Sequence, residues 1–172
     1  MRVAIDLDDV CLDFFQGVVD SMALEFGASL DKRDCTSWDK NPVKDFPWKT
    51  YGYKSWWDWM QKRDWLWATF KAVPGAVGGI SRLRSQGHSV ELLTAKPTWA
   101  EPQVWRWLGR WRLPVDRVTI VGLKQRKVDR SDADVLVDDR PENCVEFCEA
   151  GRRAVLFGQP WNEVFYHTGL TG

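Results

Sequence analysis

No apolar run in this chain approaches the roughly 20 residues that a membrane span requires. The start, MRVAID, lacks the apolar stretch that marks a signal peptide. The expectation is a cytoplasmic protein with no membrane contact. An excess charge of either sign is missing too: 24 basic side chains meet 24 acidic ones, for a formal net charge of zero. No global field draws such a chain to nucleic acid or to an acidic surface, and no nucleic-acid partner is expected. Histidine is scarce. Neither His88 nor His167 lies near a cysteine in sequence, so a zinc site has no frame. Cys144 and Cys148 fall four apart in ENCVEFCEAG, which reads as a helix, and a disulfide along one helical face would be strained. With Cys11 and Cys35 they are expected as reduced, structural thiols.

Tryptophan is what the chain has in excess. Seven of its twelve (Trp38, Trp48, Trp56, Trp57, Trp59, Trp65 and Trp67) lie between residues 38 and 67. At 172 residues the chain is one domain of ordinary size, or one domain with a small insertion. RVAIDL reads as a strand buried on both faces. LDFFQGVVDSMALEFG then has helical periodicity and stops at Gly27. From about Ala28 to Ala72 no strand is readable, and SWWDWMQKRDWLWATF carries one or two short helices. Alternation resumes after VPGA. AVGGISRLRSQG is a helix, SVELLTA a strand, EPQVWRWLGRW a helix, RVTIVG a strand, ADVLVDD a strand, PENCVEFCEAG a helix and RRAVLFG a last strand. Strands alternating with helices predict an α/β fold: a three-layer, Rossmann-like parallel sheet with helices on both faces. Residues 1–27 and 73–172 form its core, and 28–72 is an insertion.

The first strand runs into Asp6, Asp8 and Asp9, with Asp13 close behind. Carboxylates this close repel one another and resist desolvation, so something must offset the cost. In open parallel sheets ligands bind beyond the carboxyl ends of the strands. Read there, the next strand ends in Thr94, the third leads to Lys124 and Lys127, and the fourth ends in Asp138 and Asp139. Hard oxygen donors from two strand ends suit Mg²⁺. Asp6 and Asp8, two apart in extended backbone, share a face. One can attack phosphorus, and the other can protonate the leaving oxygen and then activate water. A threonine hydroxyl and a lysine can hold the phosphoryl oxygens.

DLDDV (6–10), LLTA (92–95), GLKQRK (122–127) and VLVDDRPEN (135–143) resemble, in order and spacing, the four motifs of the haloacid dehalogenase superfamily. VPGAVGGISRLRSQGHSVELLTAKP and ADVLVDDRP are similar to the 5′(3′)-deoxyribonucleotidases within it. The resemblance implies that Asp6 is the nucleophile and a metal ligand. It implies that Asp8 is the general acid/base, its backbone carbonyl also reaching the metal. Thr94, with Ala95 beside it, would bind phosphate, and Asp138 and Asp139 would complete a Mg²⁺ site. The phosphate-binding lysine stays open between Lys127, which has the better spacing, and Lys124. Asp9 stands where many relatives have glycine, and could face solvent or add charge to the metal site. Residues 28–72 would be a helical cap over the site.

A nucleobase stacks on aromatic faces for roughly 1–3 kcal/mol. Most cap tryptophans are expected to pack, with one or two of Trp56, Trp57, Trp59, Trp65 and Trp67 facing a base. Trp99, Trp105, Trp107 and Trp111, interleaved with Arg106, Arg110 and Arg112, read as packing plus solvated arginines. Asp13 and Asp20 read as exposed helix positions, and Asp129, Asp132 and Asp134 as a polar loop. The expected function is a Mg²⁺-dependent phosphatase of (deoxy)nucleoside monophosphates acting through an aspartyl-phosphate. Its rivals are a phosphatase of another small ester or of a nucleic-acid terminal phosphate, and a catalytically idle nucleotide-binding protein. A homodimer is left open.

Overall fold

The structure is a computed structural model and describes residues 1–37 and 41–167; Trp38 lies outside the described residues. Five strands, β1 (Arg2–Ile5), β2 (Ser89–Ala95), β3 (Arg117–Val121), β4 (Val135–Asp138) and β5 (Arg153–Leu156), form one parallel sheet in the order β3-β2-β1-β4-β5. The central β1 is paired on both sides, Val3 standing opposite Val90 and Val135. Strands covered on both faces have no polar alternation to show. Accordingly both strands are buried almost end to end: β1 is apolar after Arg2, and β2 keeps Glu91 and Thr94 among its buried residues. One face carries Ala4, Leu93 and Leu136 against Phe147 of the helix Pro141–Glu149. The other carries Val3, Ile5, Val90 and Leu92 in a larger core with the first helix, α1 (Phe14–Phe26). The expected three-layer α/β architecture is the one observed.

α1 ends where expected. Gly27 takes a left-handed conformation (φ 64°), and its N–H closes the last turn on Ala23 O. The chain entering α1 and the chain at the end of the insertion run side by side. Asp13 N–H bonds Lys71 O at 2.9 Å, and Val73 N–H bonds Cys11 O at 2.8 Å. After α1 the described residues of the insertion form three short α-helices, α2 (Pro42–Asp45), α3 (Trp56–Lys62) and α4 (Leu66–Thr69). Helices of this length do not hold in water on their own. Aromatic packing supplies what propensity cannot. Phe26 of α1 meets Phe46, Trp48 and Trp59 at 5.4, 5.9 and 6.0 Å between ring centres. Phe14 stacks on Trp67 at 4.9 Å. Gly17 is required by this contact surface, since a Cβ there would lie 2.4 Å from the Phe70 ring. The tryptophan excess is therefore mainly the core of the insertion, built on the outer face of α1.

Two further helices complete the frame: α5 (Ala76–Ser85) and α6 (Glu101–Trp111). Of the three α6 tryptophans, Trp107 and Trp111 pack as expected and Trp105 does not. Trp107 is fully buried, and Trp107 and Trp111 both donate their indole N–H to Phe70 O, at 3.0 and 3.2 Å. Trp105 stays exposed. The helix Pro141–Glu149 is α7, and Glu163–His167 is α8. All four cysteines are free thiols, three of them buried. Among the described residues no helix is long and apolar enough to cross a membrane.

Candidate active site

β1, β2 and β4 end side by side, which brings Asp6, Thr94 and Asp138 to one edge of the sheet. One carboxylate oxygen from each of Asp6, Asp138 and Asp139 lies within 4.8 Å of the others, and all three residues are buried. Lys127 reaches into the cluster. Its Nζ lies 2.8 Å from Asp6 Oδ1 and 2.7 Å from Asp138 Oδ2, and its side chain is 3% exposed. Lys124 sits in the exposed loop after β3. Of the two lysines, Lys127 is the one that reaches the carboxylates, carried inward by the turn Lys127–Asp129. Burial opposes the Lys127 charge, but Asp138 and Asp6 outweigh it and hold the ammonium above the usual lysine range.

Further donors orient the carboxylates. Leu7 N–H bonds Asp6 Oδ1 at 2.7 Å. Arg140 N–H and Asn143 Nδ2 both donate to Asp138. Trp161 Nε1 donates to Asp139 Oδ2 at 2.8 Å, and Asn162 Nδ2 to the Asp139 carbonyl at 2.7 Å. One ammonium against three carboxylates leaves negative charge in excess. Asp139 feels this most: burial, then Asp138, Asp6 and Asp9, push its carboxyl well above the ordinary value. Such a set of hard oxygens, crowded and under-neutralised, fits a divalent cation such as Mg²⁺.

Asp8 belongs to a different group of contacts. Its Oδ1 accepts from Trp67 Nε1 at 3.2 Å, and its Oδ2 pairs with Lys96. The Asp8 side chain is therefore not part of the three-carboxylate cluster. Burial is the main reason its carboxyl lies above the ordinary value; Lys96 opposes the shift and Asp6 adds to it. Thr94 is buried one residue before the end of β2, and Ala95 closes the strand.

Asp9 neither faces solvent nor joins the acidic cluster. It is fully buried in a left-handed conformation (φ 57°), accepts Phe15 N–H at 3.0 Å and pairs with Lys32 at 3.1 Å. Asp13 is not a free helix position, because Lys32 bonds it at 2.8 Å. Among the five cap tryptophans, Trp59 is 0% exposed with its N–H on Glu25, and Trp56 is buried between Phe14 and Trp57. Neither offers a free face, since both are consumed in holding α3. Trp65 is 53% exposed, and its ring stacks with none of the described rings. Trp67 touches Asp8 but is 2% exposed. Half-buried Trp57 and Trp99 flank Trp67, with ring centres 6.2 and 5.6 Å from it.

Asp9 yields a pH prediction. Its Oδ2 is buried with no hydrogen-bond partner, and burial pushes its carboxyl up to about 7. The folded state holds this proton where the unfolded chain has released it. The stability is complete below the unfolded value near 4 and is lost as pH rises toward 7, at roughly 1.4 kcal/mol per pH unit. Asp9→Asn lacks this loss. Denaturant melts of the metal-free proteins should show the variant gaining on wild type steadily from pH 4 to 7. A gap independent of pH would contradict the assignment.

A model of the family described as 5' nucleotidase, deoxy (pyrimidine), cytosolic type C protein matches residues 1–169. The chain belongs to this nucleotidase family. The cytoplasmic expectation agrees with the cytosolic type that the family description names. No curated protein matches the chain. Among solved structures, a hydrolase from Streptococcus pneumoniae superposes with a TM-score of 0.63 at 16% identity, over 96% of this chain and 97% of its own. The haloacid dehalogenase-type hydrolase YfnB from Bacillus subtilis, solved bound to magnesium, gives 0.63 at 13% identity, over 98% of both chains. A class C acid phosphatase from Bacillus anthracis gives 0.54 at 16%, over 99% of this chain and 73% of its own. At such identities these likenesses carry the fold. Together with the nucleotidase family and the aspartate cluster, they make the chain a phosphoric-monoester hydrolase of the haloacid dehalogenase type.

Proposed function

We infer that the protein removes the phosphate from (deoxy)nucleoside monophosphates, with Asp6 as nucleophile and Asp8 as general acid/base. The observation that carries this reading is the division of the two aspartates. Asp6 shares Lys127 with Asp138 inside the metal-competent cluster, whereas Asp8 faces the cap through Trp67. A phosphoryl group belongs at the first and its leaving group at the second. Asp138, Asp139 and Asp6 would hold Mg²⁺, with the Asp8 carbonyl as a further ligand. The metal, when bound, neutralises the phosphate and polarises it toward attack.

Lys127 and Leu7 N–H hold Asp6 Oδ1 in place, so Oδ2 is the oxygen for phosphorus. As that bond forms, the bond to the leaving oxygen breaks, and Asp8 supplies the proton. Asp8 then takes a proton from the water that hydrolyses the aspartyl-phosphate. Thr94 donates its hydroxyl to a phosphoryl oxygen. Trp57 and Trp99, half-buried beside Trp67, are the rings we assign to a nucleobase.

The test is phosphate release from nucleoside 5′- and 3′-monophosphates with Mg²⁺ and with chelator, for wild type, Trp57→Ala and Trp99→Ala. Wild type should require the metal. At least one variant should lose about 5- to 150-fold in kcat/KM for a nucleotide, on the stacking scale. The same variant should change little on p-nitrophenyl phosphate. Equal losses on both substrates would mean these rings only pack. A wild type that prefers a sugar phosphate would remove the nucleotide from the reading and leave the phosphatase.

A further inference from the structure

Lys96 lies outside all four motifs, yet it is among the most secluded cations in the molecule. It follows Thr94 and Ala95 directly, and its backbone N–H continues the sheet by bonding Val121 O at 2.9 Å. Its side chain is 0% exposed and pairs with Asp8 Oδ2. Around the ammonium stand two aromatic rings, Trp67 with its centre at 4.3 Å and Phe14 at 5.7 Å. Aromatic faces attract a desolvated cation, so this is a built position and not a solvated loop lysine. Trp67 comes from α4 in the insertion and donates to the other Asp8 oxygen. One carboxylate is thus held by two donors, one per oxygen, from two parts of the chain that are 29 positions apart in sequence.

We propose that Lys96 and Trp67 are positioning residues for Asp8: a core ammonium and a cap indole N–H that fix the carboxylate toward the leaving oxygen. The proposal rests on the phosphatase reading above. A carboxyl group two residues beyond the nucleophile, on a turn, can rotate about two side-chain bonds. Proton transfer demands one orientation at hydrogen-bond distance. With a donor on each oxygen the plane of the carboxylate is set, and it is set only when α4 is seated on α1. In the step itself Asp6 Oδ2 bonds to phosphorus, and the electron pair of the breaking P–O bond stays on the leaving oxygen. That oxygen receives the Asp8 proton. Lys96 and Trp67 keep their own protons and hold the carboxylate that remains.

The prediction concerns how basic the leaving oxygen is. A misplaced acid harms the departure of a basic oxygen far more than that of a weakly basic one. Phenyl phosphate and p-nitrophenyl phosphate present the same ring and differ in this property. kcat/KM, which reports the step up to product departure, is measured for both with Mg²⁺. The proteins are wild type, Lys96→Met, Lys96→Arg and Trp67→Phe, each shown folded by its thermal transition. Trp67→Phe keeps an aromatic ring and removes only the N–H donor.

Lys96→Met and Trp67→Phe should lose about 10- to 100-fold on phenyl phosphate, a part of the roughly 10²- to 10⁴-fold that general acid catalysis contributes. On p-nitrophenyl phosphate the loss should be several-fold smaller, and Lys96→Arg should recover part of it. Equal losses on the two esters, or no loss in folded variants, would overturn the proposal and leave the phosphatase reading standing. Wild-type protein that turns over neither ester would overturn both. Lys96→Met and Trp67→Phe probe the two oxygens separately, so failure of one variant to fold leaves the other to decide.

Discussion

Asp6→Asn is expected to abolish phosphate release while leaving the fold intact. Asp6 is buried at the end of β1, and its Oδ1 accepts Leu7 N–H at 2.7 Å and Lys127 at 2.8 Å. An asparagine keeps the volume, and its amide oxygen can accept both of those bonds. What disappears is the anionic oxygen that attacks phosphorus and one negative charge at the metal site. Removing a nucleophile from a working catalytic unit costs on the order of 10³- to 10⁶-fold in rate. The fold should respond mildly, because one of three crowded carboxylates has been neutralised. Phosphate release and the thermal transition, measured on the same preparation, check both halves. A folded Asp6→Asn protein with a rate near wild type would exclude the covalent route.

Lys127→Met should have the second-largest effect, and here stability changes first. Lys127 is the cation that the described residues place between Asp6 and Asp138, and both partners are buried. Truncating one partner of a buried ion pair leaves an uncompensated charge, a loss of about 3–5 kcal/mol. Because the folded-state pKa of Lys127 is raised, its contribution is present throughout the neutral range. It is lost only as pH climbs from the ordinary lysine value through the raised one. Mg²⁺ should offset part of the defect, so saturating metal should raise the melting temperature more in the variant than in wild type. Lys124→Met, in the exposed loop, should stay within about 0.5 kcal/mol of wild type. Similar behaviour of the two variants would contradict the geometry that separates them.

The strands were legible because their code is local. SVELLTA is the whole of β2, and the stop of α1 at Gly27 follows from a backbone that only glycine adopts cheaply. The acidic residues at the ends of β1 and β4 were legible for the same reason, since strand direction alone decides which end of the sheet they occupy. The residues that orient them were not. Trp161 and Asn162 after β5, and Lys96 after β2, act on aspartates far away in sequence and on another strand. Their reach depends on strand order and helix packing, and no periodicity records it. Lys32 is the clearest case. It looks like one of many surface lysines, yet it reaches from the insertion to Asp9 and Asp13 and lies 5.5 Å from the centre of the Trp161 ring.

The cap shows the opposite difficulty. Its tryptophans announced themselves, but abundance does not say which way a ring faces. Trp59 and Trp48 turned inward because helices as short as α2, α3 and α4 need them as a core. Trp67 turned toward Asp8, where its N–H has more to do than its face. Trp57 and Trp99 were left half-buried beside Trp67. Only the packing of α4 against α6 and α1 separates these outcomes.

The central claim is that phosphate passes through Asp6, and trapping the intermediate tests it most directly. Protein mixed with Mg²⁺ and a nucleoside monophosphate is quenched in acid within a turnover, digested, and mapped by mass spectrometry. The account predicts a phosphoryl group on the peptide containing Asp6, absent with chelator and absent in Asp6→Asn. Steady release of phosphate with that peptide unmodified at every quench time would contradict it.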